Sequence, residues 1–413
     1  MSVYLLCSVI LFNYIVGQMT SFLDLNRWKP KLPQDLGVVY NEPDYIKSCK
    51  YHKALSRNSF FSETFTLPLM LIFLLTGLFG KLDMWLNEIL IPGIPAALSF
   101  FAIITVGSFI LNLPFTIYRT FVIEERFGFN KTTPSLFISD KIKSAVLGSL
   151  IGALLLGGFV YIYDTAGATF CIYTWFMIAT FMLVANLIYV PVILPLFNDL
   201  KKLESGDLKV SIRNYCYQND FPVEDVYIMD GSKRSTKANA FFSGLGPKKK
   251  IVLYDTLIGS HSSDEIVAIL AHEVGHYKNR HTVKGLALGL TQIALIIWLF
   301  SWFIENQSVA MALGADVNTI ELAIFAFGIV YSPLSLVTGM LVNYFSRKHE
   351  YEADYYAAST SHGTDLKSAL LKLTTKNLGN PDPHPLTVFC QYSHPTILQR
   401  IRNLDALGEL RTS

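Results

Sequence analysis

The sequence predicts an all-α multipass membrane protein: seven transmembrane helices with a small α+β region on the cytoplasmic side. Three observations carry that expectation. Hydrophobic residues make up 51% of the chain and charged ones 16%, whereas a soluble protein carries about a quarter charged; the mean hydropathy is +0.37. Seven apolar stretches are long enough to cross a bilayer as helices, which takes about 20 residues each. All but one of the 34 Lys and Arg residues fall in alternate connecting segments.

The stretches lie near 2–22, 65–86, 93–117, 145–163, 168–190, 285–304 and 320–342. The first has no basic region ahead of it, so it reads as a retained span and not as a cleaved leader. Only Asp164-Thr165-Ala166-Gly167 separates the fourth from the fifth, which suits a tight helical hairpin. Pro191, Pro195 and Pro333 mark kinks or stops. Segments 24–63, 119–143, 198–284 and the tail from 343 are rich in Lys and Arg, while the intervening loops hold only Lys81. The positive-inside rule therefore puts the N-terminus outside and these four segments in the cytoplasm.

This divides the chain into a five-helix membrane region (1–197), a cytoplasmic segment (198–284), the sixth and seventh spans (285–342) and a C-terminal cytoplasmic segment (343–413). A net charge of +2 gives no expectation of a nucleic-acid partner. The five cysteines are scattered without a CxxC pair, which argues against a zinc ribbon or a disulfide framework.

Segment 198–284 opens with polar, turn-rich sequence (Lys201–Asp220). Two strand-like runs follow, Asp225–Met229 and Lys250–Tyr254. Between them lies Asn239-Ala240-Phe241-Phe242, ended by Gly244, and the lysines 248–250 read as a solvated turn. Ser262 and Glu265 have the spacing of a capping box and start a helix carrying His272-Glu273-Val274-Gly275-His276. Residues four apart share a helical face, so His272 and His276 can bind one metal ion. Glu273, next to the first ligand, can reach a water held by that ion without binding the ion itself.

A third ligand is available just past the seventh span, where Glu350 and Asp354 share a face. One of them can bind the metal while the other orients a ligand histidine. Glu352 points away from Asp354 as a solvated charge, His349 is a neighbour, and His281 is rotated off the His272–His276 face. The first helix runs into the sixth span and the second runs out of the seventh, so both meet the membrane on the cytoplasmic side.

These residues resemble the type I CAAX prenyl proteases, membrane zinc endopeptidases with seven transmembrane helices. The resemblance extends well beyond the metal motif. It includes Glu124-Glu125-Arg126-Phe127-Gly128-Phe129-Asn130-Lys131, Pro195-Leu196-Phe197-Asn198 and Asn239-Ala240-Phe241. It continues with Ile251-Val252-Leu253-Tyr254-Asp255-Thr256-Leu257, Ser346-Arg347 leading to Glu350 and Ala353-Asp354, and Ser393-His394-Pro395-Thr396. The motifs run in the family's order across nearly the whole chain.

The resemblance implies one zinc ion per chain, held by His272, His276 and Glu350, with Glu273 as general base and Asp354 as a supporting carboxylate. It implies that Asn239, Ala240 and Phe241 lie on an edge strand beside the substrate and that His394 stabilises the oxyanion or the substrate carbonyl. The bland alternatives are a turn at Asn239 and a helix cap at His394. The family encloses its site in an intramembrane chamber. Expected partners are a peptide or protein substrate, prenylated or not, and membrane lipid. Expected substrates are the C-terminal aaX tripeptide of prenylated CAAX proteins or, for a bacterial chain, membrane and misfolded protein. The membrane is then the endoplasmic reticulum or the bacterial inner membrane. The competing classes are a multipass transporter and a metal-bound scaffold. Spans nearly free of ionisable residues weigh against transport, and an unligated Glu273 weighs against a purely structural metal.

Overall fold

The computed structural model describes residues 1–242 and 249–412. Gly244 and Lys248 lie outside them. The first helix, α1 (Val3–Arg27), starts at Ser2, whose hydroxyl accepts the Leu5 N–H. Asn41 caps α2 (Glu42–Leu75) by accepting the Asp44 N–H.

Here the structure corrects the expected span at 65–86. Helix α2 stops at Thr76, and the chain turns through Gly77 (φ +65) into a separate helix, α3 (Leu78–Ile89). Close packing requires this turn. A Cβ on Gly77 would meet Gly314 Cα at 3.0 Å, and one on Gly80 would lie 2.4 Å from the Gly314 carbonyl carbon. The apolar stretch that crosses is therefore in α2.

The next helices are α4 (Ile94–Tyr118), α5 (Pro134–Ala166) and α6 (Phe170–Ile188). Gly167 (φ +53) interrupts the helix between α5 and α6, which pack against one another. A π-turn at Tyr189–Ile193 surrounds Pro191 and leads into α7 (Leu194–Phe197). Among the described residues, six helical stretches are long and apolar enough to cross a membrane, one of them the 64-residue stretch Pro134–Phe197. Side chains such as Ile110, Leu150, Leu154, Trp302 and Val337 stand exposed on them. An outward apolar surface of this extent fits lipid as its solvent, and the chain is a multipass membrane protein.

A four-stranded sheet follows, in the order β1-β2-β4-β3. Its strands are β1 (Leu200–Lys202), β2 (Val223–Met229), β3 (Ala240–Phe242) and β4 (Lys249–Tyr254), with α8 (Asp207–Gln218) between the first two. Strands β2 and β4 are parallel, and β3 pairs antiparallel with β4 at the sheet edge. Lys249 is not in a solvated turn. It is buried in β4 with its ammonium 5.3 Å from the Tyr277 ring.

The remaining helices are α9 (Asp255–Ile258), α10 (Ser263–Lys278), α11 (His281–Ile304), α12 (Ser308–Leu313), α13 (Ile320–Ala357), α14 (Gly363–Lys376), α15 (Pro385–Gln391) and α16 (Ile397–Thr412). Pro333 does not stop α13, which carries on unbroken to Ala357. The molecule has a core at each end. One gathers Leu6, Leu74, Phe79, Phe100, Leu313 and Leu322 around the starts of α1 and α13. The other packs the sheet, α8, α14 and α16 around α10. Helices α1 and α13 run the same way: the Met1 amino group bonds Ser308 at one end, and Asp24 accepts the His384 N–H at the other.

Candidate metal centre

Helices α10 and α13 hold the site between them. The predicted capping box starts α10, with the Ser262 N–H donating to Glu265 at 2.9 Å and the Glu265 N–H to Ser262 Oγ at 3.2 Å. Glu265 is buried and also accepts from Ser368 at 2.6 Å and pairs with Lys372 at 2.6 Å. Burial opposes its ionisation, but these partners outweigh burial and hold the carboxyl at about 2. Ile266, Leu270, Ala271 and Val274 then bury one side of α10 in the core. Gly275 sets the approach to α13, because a Cβ there would lie 2.9 Å from Ala353 Cα and 3.0 Å from its carbonyl oxygen.

That approach brings His272, His276 and Glu350 together, each offering one donor atom within 4.8 Å of the others. The two Nε2 atoms are 3.1 Å apart. Glu350 Oε2 lies 3.5 Å from His272 Nε2 and Oε1 lies 3.4 Å from His276 Nε2. Both Nδ1 atoms are taken from outside. Asp354 Oδ1 is 2.9 Å from His272 Nδ1, and His281 Nδ1 is 2.9 Å from His276 Nδ1.

Three groups in this outer ring differ from the sequence reading. Arg400 is absent from it, yet is 9% exposed and donates Nε to Asp354 Oδ2 at 2.9 Å and Nη2 to Oδ1 at 2.6 Å. Its Nη1 is 3.3 Å from Glu350 Oε2. Burial opposes its charge, while Asp354, Glu350 and Glu273 together hold the guanidinium even more firmly protonated than usual. No periodicity links position 400 to position 354; only the packing of α16 on α13 does.

The second is His281. The helix does not run straight into the sixth span as its sequence suggests: Asn279 and Arg280 (φ +55) break it, and His281 folds back onto His276. The third is Glu352, which is not simply solvated: it lies 2.9 Å from His281 Nε2. His349 stacks on His281 with ring centroids 4.0 Å apart.

Among the described residues, the Glu273 carboxyl makes no hydrogen bond with suitable geometry. Burial raises its pKa, the histidines His272 and His276 oppose the rise, and Glu350 adds to it. His394 is largely exposed, with Nε2 3.3 Å from Glu350 Oε1 and Nδ1 2.9 Å from Ser393 Oγ. Asn239 precedes β3, its carbonyl accepting the Tyr254 N–H at 3.1 Å. Ala240 and Phe241 lie in β3 itself, which rests against α10.

Residues 23–199 match the family described as CAAX prenyl protease N-terminal, five membrane helices, and residues 202–407 match peptidase family M48. The chain is 34% identical over 407 residues to CAAX prenyl protease 1 of Saccharomyces cerevisiae, covering 92% of this chain and 89% of that protein. The chain belongs to peptidase family M48. It is 33% identical to the CAAX prenyl protease 1 homolog of Arabidopsis thaliana, covering 96% and 97% of the two chains. The crystal structure of S. mikatae Ste24p superposes with a TM-score of 0.91 at 32% identity, covering 98% of each chain. This M48 chain is a membrane metalloendopeptidase of a zinc-dependent family.

The donor set fits zinc. Two imidazoles and one carboxylate are the ligands of several zinc hydrolases, which leave a fourth position open. With each Nδ1 engaged outside, both Nε2 lone pairs converge on the same point as the Glu350 oxygens. Among the described residues, Glu350 Oε2 is buried and finds no hydrogen-bond partner. Burial disfavours a charged His272, yet Asp354 and Glu350 raise the metal-free imidazole to about 9, so the surroundings of that ring favour positive charge, which a metal ion at Nε2 would supply in place of the proton.

Proposed function

We propose that the chain removes the C-terminal aaX tripeptide from prenylated CAAX proteins at the cytoplasmic face of its membrane. The observation that carries this is the convergence of His272, His276 and Glu350 beside Glu273, in a chain similar along nearly its full length to proteins named CAAX prenyl protease 1.

In this reading His272, His276 and Glu350 would hold one zinc ion, which would supply Lewis acidity toward a water and the scissile carbonyl. Glu273 takes the proton of the attacking water and passes it to the leaving amine. Burial raises its pKa, the direction that helps a carboxyl group accept and then pass on a proton. Asp354, gripped by Arg400, holds the Nδ1 proton of His272 and so keeps Nε2 unprotonated. His281 and Glu352 do the same for His276. His394 stands at the exposed side of Glu350, where it can donate to the developing oxyanion. Strand β3, with Asn239 before it and Ala240 and Phe241 within it, presents the sheet edge to an extended substrate.

The membrane arrangement belongs to the same proposal. Helices α5 and α6 cross separately, giving seven crossings that enclose a chamber, and the sheet with its helices forms an α+β catalytic region. Residues 1–197, 198–284, 285–342 and 343–413 are its successive parts. The charge asymmetry of the loops and the separation of Met1 from Glu350 at opposite ends of α13 support an outside N-terminus and a cytoplasmic site. The membrane is that of the endoplasmic reticulum in a eukaryote, or the inner membrane in a bacterium.

The test compares the wild type with Glu273→Gln on a prenylated CAAX peptide and its unprenylated counterpart, with zinc measured in both proteins. Both should hold about one zinc, and only the wild type should cut, with preference for the prenylated peptide. Equal cutting by both proteins sinks the role of Glu273. Indifference to the prenyl group sinks the substrate.

A further inference from the structure

A second cleft lies outside the metal centre, between α2, the end of α4 and the turn that follows it. Its volume is about 790 Å³. One wall is a single ridge of α2: Lys53, Arg57, Phe61 and Phe65 follow at intervals of four residues and wind slowly round the helix over about 18 Å. Pro114, Phe115 and Tyr118 of α4 form the other wall, and Arg126 closes the basic end. Asn58 ties the walls together by donating to the Phe115 carbonyl at 3.4 Å.

The two ends differ in chemistry. Among the described residues, Lys53, Arg57 and Arg126 form no ion pair. The nearby Glu124 is already engaged by Tyr51 at 2.8 Å and Lys237 at 3.2 Å. Arg57 rests over the Phe61 ring at 5.5 Å, which joins the cationic end to the aromatic one. Phe61 and Phe65 are half exposed and begin the apolar part of α2. Three cations without an ion-pair partner among the described residues, lining one cleft with aromatic side chains, match an anionic head on apolar chains.

We propose that this cleft binds one anionic glycerophospholipid of the cytoplasmic leaflet. Its phosphate sits among Lys53, Arg57 and Arg126, and its acyl chains lie along Phe61, Phe65 and Phe115. The leaflet rests on the orientation proposed above; the binding itself does not. A basic side chain near an anionic membrane surface contributes about 1 kcal/mol, or roughly fivefold in affinity.

The experiment uses the full-length protein in detergent, with equal amounts of phosphatidylserine and phosphatidylcholine, and counts bound lipid by native mass spectrometry. The wild type should retain one phosphatidylserine with at least about tenfold preference, and excess inorganic phosphate should not displace it. The triple variant Lys53→Gln, Arg57→Gln, Arg126→Gln should lose that preference while keeping its zinc. Lys201→Gln with Arg213→Gln, which removes exposed cations elsewhere, should retain it. No preference in the wild type overturns the proposal, as does an unchanged preference in the triple variant. Full displacement by phosphate shows a soluble-anion site and also overturns it. Phe65→Ala, which leaves every cation in place, should weaken retention of both lipids; unchanged retention removes the groove from the proposal.

Discussion

Arg400 grips Asp354 through two parallel hydrogen bonds, Nε to Oδ2 at 2.9 Å and Nη2 to Oδ1 at 2.6 Å, and Asp354 in turn meets His272 Nδ1 at 2.9 Å. Asp354 is fully buried and Arg400 nearly so. Removing the guanidinium leaves a buried carboxylate without its partner, which costs about 3–5 kcal/mol. Arg400→Met should therefore lower the melting temperature and weaken zinc retention roughly 10–100-fold. Lysine presents one point charge instead of a planar fork, so Arg400→Lys should restore little. Competition with a chelator measures the retention, and wild-type zinc affinity in Arg400→Met would remove this residue from the site.

Gly275 is the contact point between α10 and α13. A methyl group there meets Ala353 Cα, its carbonyl oxygen and Tyr356 Cβ, all at about 3 Å. The two helices must separate by a few tenths of an ångström, and they carry His272, His276 and Glu350. Gly275→Ala should cost about 1–3 kcal/mol of stability and lower turnover far more than its effect on helix propensity predicts. The discriminating measurement is zinc content beside activity. A variant more stable than wild type, with full zinc, would show that the contact is not limiting.

The pair His281 and Glu352 stands behind the Nδ1 atom of His276 as Asp354 stands behind that of His272, and in the proposed site each would hold its histidine as a zinc ligand. His281→Ala should weaken zinc retention roughly 10–100-fold. Glu352→Gln should act in the same direction more mildly, because the amide still has an oxygen to accept from His281. Isothermal titration of zinc into the chelator-stripped protein orders the three. An unchanged His281→Ala would return His276 to the position of a self-sufficient ligand.

Glu265 ties the start of α10 to α14 through Ser368 and Lys372. Its folded pKa of about 2 lies below the ordinary value of 4.5. The folded state therefore binds this proton less tightly than the unfolded one. Its contribution is fully present above pH 4.5 and is lost as the pH falls toward 2. By linkage it amounts to about 3 kcal/mol at neutral pH. Glu265→Gln should melt lower than wild type at pH 7, and the difference should narrow as the pH is lowered through 4. Melting scans on zinc-stripped protein separate this from histidine protonation at the metal centre. A gap that stays constant with pH would remove the carboxylate charge from the account.

The differences between expectation and structure have identifiable physical causes. Apolar length alone could not show that α2 ends at Gly77, because that break answers to Gly314, more than two hundred residues away. A straight helix extended through Arg280 misplaces His281, because no periodicity signals the left-handed backbone of Arg280. Arg400 follows His394-Pro395 at no spacing that points to Asp354. In each case the decisive partner is remote in sequence.

What the sequence determined by itself is which residues of the motif share a face and the helical frame around them. Spacing of four puts His272 over His276, and Glu350 over Asp354, on helical faces; Ser262 and Glu265 start the first of these helices; and long apolar runs produce membrane helices wherever the chain goes. Tertiary structure alone decided how closely the two faces meet and what stands behind the two histidines. Close packing at Gly275 and the burial of Asp354 beside Arg400 depend on distances between helices, and local propensity carries no information about those distances.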